Sequence, residues 1–225
     1  MELIKMEIEN AATQNELLIK KWASAALTGI IIYIVLEVTV QLLPPHYSIR
    51  QAESDLAAGP YGIILNINFL VRSLLSGYII LAITRCARHS AGAMMGLAFF
   101  AVWSVCSFLL AFFNADVTDS LESVRSTFHG QVHMVLAVIS YICAPIGLLI
   151  TSLSFQGTNR LRALFMPALV VSAICVLSFI YLGQSGVYAS NFGIFERICI
   201  GSILFWCALV ALELRHTGSN HYSVK

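Results

Sequence analysis

Two histidines, His129 and His133, stand four residues apart at the edge of a long apolar stretch. On a helix that spacing puts both imidazoles on one face. Two such rings can share a divalent metal such as zinc, and a metal-bound water beside a carboxylate is the apparatus of a hydrolase. A third ligand would come from Asp116, Asp119, Glu122, His46, Glu53 or Asp55. In that reading Asp116, His129 and His133 hold the metal-bound water and Asp55 or Glu53 acts as base. Two plainer readings stay open: interfacial histidines bonded to loop backbone, and a proton-handling pair without metal.

Two ionisable residues lie inside apolar runs, where a charge is costly and faces a bundle interior or a wet cavity. Glu37 is six residues from the end of its run, about 9 Å deep at ~1.5 Å per residue. Arg72 is ten residues into the next run, about 15 Å deep on the same rise. The expected arrangement is a Glu37–Arg72 pair, because an arginine can reach outward along its stem. Such a pair can serve a site or simply fix helix packing. The connection at 46–56 is polar and carries Arg50, Glu53, Ser54 and Asp55, of which Ser54 and Asp55 suit a helix N-cap. Asn66, Asn68, Glu196 and Arg197 open two further apolar runs from the same side. The expectation is one cavity lined by Glu37, Arg50, Glu53, Asn66, Arg72, Glu196 and Arg197. His133 should share its wall with at least one of Asp55, Asp116 and Glu53, since a ring one turn below the interface needs polar partners.

The elements that must position these residues follow from composition. Of 225 residues, 58% are hydrophobic and 11% charged, against about 25% charged in a soluble domain. The solvent for most of this chain is lipid. A span needs about 20 mostly apolar residues, and six stretches qualify: 24–43, 62–84, 92–113, 131–154, 164–183 and 193–214. Pro44-Pro45, Gly59-Pro60 and residues 156–159 mark breaks between them. Pro145 and Pro167 should kink or tighten two of the spans. Gly92 with Gly96, and Ser73 with Gly77, form small-xxx-small pairs that suit close helix approach.

Orientation follows from the basic residues. With the N-terminus inside, Lys5, Lys20, Lys21, Arg85, Arg88, Arg160, Arg162, Arg215 and Lys225 are cytoplasmic, and only Arg50 and Arg125 are outside. The expected protein is therefore an all-α six-helix bundle with both termini in the cytoplasm. It divides into a cytoplasmic segment at 1–22, a membrane domain at 23–214 and a cytoplasmic tail at 215–225. Residues 2–21 have mixed charge and read as a short helix lying near the membrane surface. The six cysteines lie in apolar segments or, for Cys86, a basic loop, which disfavours a disulfide framework and favours packing. A net charge of +1 gives no basic field for nucleic acid. Facing histidines for a b-type haem, a phosphate loop and a nucleophile elbow are all missing from the sequence pattern.

The loop Tyr47-Ser48 with Glu53-Ser54-Asp55-Leu56, the Gly62 to Asn66 start of the second span, His129 with His133, and Gly193-Ile194-Phe195-Glu196-Arg197 resemble the domain-of-unknown-function family 998. The resemblance covers most of the chain. It implies a bacterial or archaeal membrane protein of about six spans in the cytoplasmic membrane, and no established activity. The Ser-Asp loop is more distantly similar to the Frag/DRAM/Sfk six-helix proteins, some of which act in lipid or lipid-anchor processing. Three functions remain as expectations. One is a non-enzymatic protein that binds a membrane lipid or a membrane partner through its outer half. The others are a metal-dependent lipid hydrolase and a small proton-coupled transporter centred on Glu37 and Arg72.

Overall fold

The computed structural model describes residues 1–44, 48–87, 90–116, 127–185 and 190–216. These form seven α-helices: α1 (Glu2–Leu42), α2 (Glu53–Ala57), α3 (Gly62–Ala87), α4 (Ala91–Leu110), α5 (Phe128–Ser154), α6 (Phe165–Ser185) and α7 (Phe192–His216). All but α2 are long and apolar enough to cross a membrane. Each of the six long helices packs on the next, and α7 closes the ring against α1. One end of the ring carries α2, the α4–α5 connection and the α6–α7 connection. The opposite end carries the α3–α4 and α5–α6 connections.

The bundle is built for lipid. Large apolar side chains such as Ile34, Val35, Leu74, Val105, Leu177 and Phe205 face outward. Small polar ones, including Ser76, Ser107, Ser140, Ser152 and Ser172, are buried between helices. Without a hydrophobic force between helices, close approach and interhelical hydrogen bonds do the joining. Ser104 donates to the Ser73 carbonyl at 2.9 Å, and the Ser152 and Ser172 hydroxyls are 3.0 Å apart. The Gly96 side of its small-residue pair is used: a side chain there would strike Thr151 and the Gly147 carbonyl on α5. Gly77 has open space around it, so in the second pair only Ser73 meets a neighbouring helix.

Three expectations change. Residues 2–21 are not a separate surface helix; they continue into the first span as one helix ending at Leu42. Nothing at 20–24 breaks the helical hydrogen bonding, as the run Lys20-Lys21-Trp22-Ala23-Ser24 has no proline or glycine. Neither Ser54 nor Asp55 caps α2, which begins at Glu53 behind Ala52 with no side-chain cap. Pro167 falls in the first turn of α6, where the missing N–H would have no partner anyway. Pro145 lies inside a continuous α5 and removes the helical donor of the Tyr141 carbonyl.

The end opposite α2 is closed by aromatic packing. Trp206 stacks on Phe155 with centroids 5.9 Å apart, meets the edge of Phe100, and donates to the Ser152 hydroxyl at 2.8 Å. Arg160 ties the α5–α6 connection down with bonds of 2.6 and 2.9 Å to Glu16 and one of 2.6 Å to the Leu214 carbonyl.

Candidate functional site

The centre of the α2 end is a buried polar network. Helix α2 folds into the mouth of the ring rather than over it. Leu56 and Ala57 pack on Val40, Leu65, Phe69 and Leu110 in a small apolar core of their own. That anchorage drives Glu53, 2% exposed, into the bundle. There its carboxylate accepts the Tyr33 hydroxyl of α1 in a short hydrogen bond. It also lies 3.8 Å from the Arg72 guanidinium of α3. Arg72 donates through Nε to the Ser107 hydroxyl at 3.1 Å, and its charge lies over the rings of Phe69 and Trp103 at 4.8 and 4.6 Å. A guanidinium sandwiched in this way is stabilised by both ring faces.

Glu196 of α7 joins from the other side. Its carboxylate accepts the Glu53 backbone N–H at 2.6 Å and the Tyr141 hydroxyl at 3.0 Å. The placement depends on Gly193, one turn earlier. The Gly193 N–H donates to the Arg50 carbonyl at 2.9 Å, and any side chain there would overlap the Gln51 carbonyl. Arg197 completes the clasp by donating to the carbonyls of Ile49 and Gln51 at 3.2 and 2.9 Å.

The expected Glu37–Arg72 pair is replaced by two other pairs. Arg72 meets Glu53, and Glu37 meets Arg197 Nε at 3.5 Å. The reason is α2: its buried carboxylate reaches Arg72 at its own depth, while Glu37, nearer the helix end, lies level with the first turn of α7. Both Glu37 oxygens otherwise lack a hydrogen-bond partner among the described residues, as do Asn66 Oδ1 and both side-chain atoms of the fully buried Asn68.

Beside this network runs a cleft of about 750 Å³. Glu53, Arg72, Tyr141 and Glu196 form its deep polar end. Asp55, Asp116 and His133 stand on the same wall. Met134, Val135, Val138 and Ile142 of α5, with Phe179 and Leu182 of α6, supply an apolar side. Val138 is half-exposed on the outer surface of the bundle, so the apolar wall and the membrane-facing surface are continuous.

His133 is 5% exposed, and its Nδ1 lies 2.7 Å from the Phe113 carbonyl. Asp116 accepts the Thr127 N–H at 2.9 Å and the Thr127 hydroxyl at 2.5 Å. These bonds, with the hydroxyl first, hold the Asp116 carboxyl below its ordinary range, so it is anionic at neutral pH. His129, by contrast, is exposed and lies against Phe113 and Phe128 rather than on the cleft wall. Arg50 is also exposed, donating to Asn191 at 3.1 Å. Among the described residues no three His, Cys, Asp or Glu side chains gather as a metal would need, and His46, Asp119 and Glu122 lie outside the described residues.

Tyr33, Tyr141, Ser107, Phe69 and Trp103 were not singled out from the sequence. Two of them had a signal. Tyr33 precedes Glu37 by four residues and Tyr141 follows His133 by eight, both helical same-face spacings.

A family model described as "Protein of unknown function (DUF998)" matches residues 27–213, from the second half of α1 through nearly all of α7. No curated protein and no solved structure matches the chain.

Proposed function

We infer that this chain, which belongs to the DUF998 family, is a non-enzymatic protein that binds a membrane lipid or a lipid-like amphiphile in the α2-end cleft. One observation carries the reading: the cleft joins a buried charged end to an apolar wall that is continuous with the membrane-facing surface of α5. A polar head can settle against Glu53, Tyr141 and Glu196 while its tail lies along Val138, Ile142 and Phe179. The volume falls in the ~300–1,000 Å³ range of small-ligand sites. The aromatic packing around Trp206 blocks the far half of the bundle, which favours a blind binding site over a through-path.

Mass spectrometry of the intact protein released from mild detergent tests this. An amphiphile should stay bound to the wild type, and Val138→Trp, which fills the cleft, should reduce occupancy at least tenfold. Leu74→Trp, on the exposed side of α3 away from the cleft, should not. Equal retention by both variants would show that the bound molecule lies elsewhere.

The setting that goes with this reading is the cytoplasmic membrane of a prokaryote, with 1–22 and 215–225 inside and the α2 end facing out. The nine-to-two distribution of Lys and Arg supports it. An impermeant thiol reagent should label Ser120→Cys in intact cells and Ser219→Cys only after permeabilisation. The reverse pattern would invert the topology.

A further inference from the structure

The cleft wall offers a ligand more carboxylates than cations and an open ring nitrogen. Among the described residues Arg72 is the one guanidinium on that wall, and its charge is already engaged with the protein. Its Nε is bonded to Ser107, its Nη1 faces Glu53, and Phe69 and Trp103 cover its faces. The Tyr141 hydroxyl donates to Glu196 and keeps only lone pairs for a ligand. His133 is fixed by the Phe113 carbonyl. A ring nitrogen 2.7 Å from a carbonyl oxygen must carry the proton, so the neutral ring has Nδ1–H and a bare Nε2. That nitrogen has no hydrogen-bond partner among the described residues, although the ring is 95% buried and stands on the cleft wall. Standing on the cleft wall, it is an acceptor to which a bound group can donate.

Charge points the same way. Leaving Asp55 aside, the wall carries the carboxylates of Glu53, Asp116 and Glu196 against the single cation Arg72. An anionic head would meet like charge, and the Arg72 cation is already paired with Glu53.

We propose that the occupant of the cleft is an amphiphile with a primary ammonium head, drawn by the acidic wall and received by its acceptors: the Glu196 carboxylate at the deep end, with His133 Nε2 and Asp116 along the same wall. This rests on the amphiphile reading above and adds the class of head group. Two sources share the chemistry: an aminophospholipid of the bilayer and a single-chain alkylamine. A quaternary ammonium carries the charge without donors, and a sulfate carries neither.

The experiment is equilibrium binding at pH 8 to the purified protein in maltoside, read by tryptophan fluorescence, since Trp103 lies between Arg72 and Tyr141. At that pH imidazole is neutral and a primary alkylamine is protonated. Dodecylammonium should bind saturably, at least tenfold tighter than dodecyltrimethylammonium, and dodecyl sulfate should not bind saturably. Glu196→Gln should weaken dodecylammonium at least fivefold. Asp116→Asn, a near-isosteric change at a half-buried position outside the apolar core, should weaken it two- to fivefold. Uptake of phosphatidylethanolamine over phosphatidylcholine from mixed nanodiscs would assign the head to the bilayer; dodecylammonium binding without that uptake would assign it to a single-chain amine. Equal affinity for the primary and quaternary heads, or no change in Asp116→Asn and Glu196→Gln together, overturns the donor–acceptor proposal. Saturable dodecyl sulfate binding that Val138→Trp abolishes overturns it while leaving the amphiphile cleft in place. No saturable binding of any head removes both.

Discussion

Arg72→Met should be among the most destabilising single substitutions in this protein. The guanidinium is 3% exposed, bonded to Ser107, paired with Glu53 and held between Phe69 and Trp103. Its removal leaves the Glu53 carboxylate buried with no countercharge. Breaking one side of a buried pair costs about 3–5 kcal/mol in soluble proteins, set here against the small apolar core of α2 and its clasp to α7. Adding Glu53→Gln removes the stranded charge and should recover a large part of the loss. Adding Glu37→Gln should recover much less, because Glu37 is paired with Arg197. Thermal unfolding in detergent, run as two double-mutant cycles, separates the cases. A larger coupling of Arg72 to Glu37 than to Glu53 would contradict the pairing.

Gly193→Val should act from a distance on the same network. Its side chain would occupy the space of the Gln51 carbonyl, and neither backbone can yield without breaking the Gly193–Arg50 hydrogen bond. Overpacking of this kind costs about 1–3 kcal/mol. The larger consequence is geometric: α2 must lift, taking Glu53 away from Glu196 and Arg72. Stability and amphiphile retention should fall together. Gly201→Val, at a position with open space around it, controls for the substitution itself and should change both little. Loss of stability with undiminished retention would mean that the clasp does not position the cleft.

The six spans were legible because lipid leaves little choice: about 20 apolar residues must be helical, and prolines and glycines punctuate them. Their bounds differ from the expected ones by at most three residues, apart from the long start of α1. The polar residues at one end were legible for a related reason, since each needed a partner and only that end supplied them. The pairing was not. Helix periodicity places Tyr33 with Glu37, and Asn68 with Arg72, on common faces, but it cannot say how deep a loop helix sits. The sequence places Glu53 on a cavity wall with Ser54 and Asp55 beside it, but nothing in the loop says that it reaches Arg72. The neglected clue was Leu56-Ala57 behind it, an apolar pair that is buried and carries Glu53 down with it. The spacing of His129 and His133 was read as a shared face. The turn between them takes one ring to the aromatic pair Phe113 and Phe128 and the other to the cleft wall.

The central claim is that the α2-end cleft receives an amphiphile from the bilayer. Photolabelling with a diazirine-tailed lipid in nanodiscs, followed by peptide mapping, tests it most directly. Labelling at Val138, Ile142 and Phe179 should be saturable and should fall when unlabelled lipid is added in excess. Labelling at lipid-facing positions such as Leu74 and Phe205 should rise without saturation. Equal, unsaturable labelling across both sets would mean that α5 and α6 face ordinary bulk lipid and that the cleft holds no ligand.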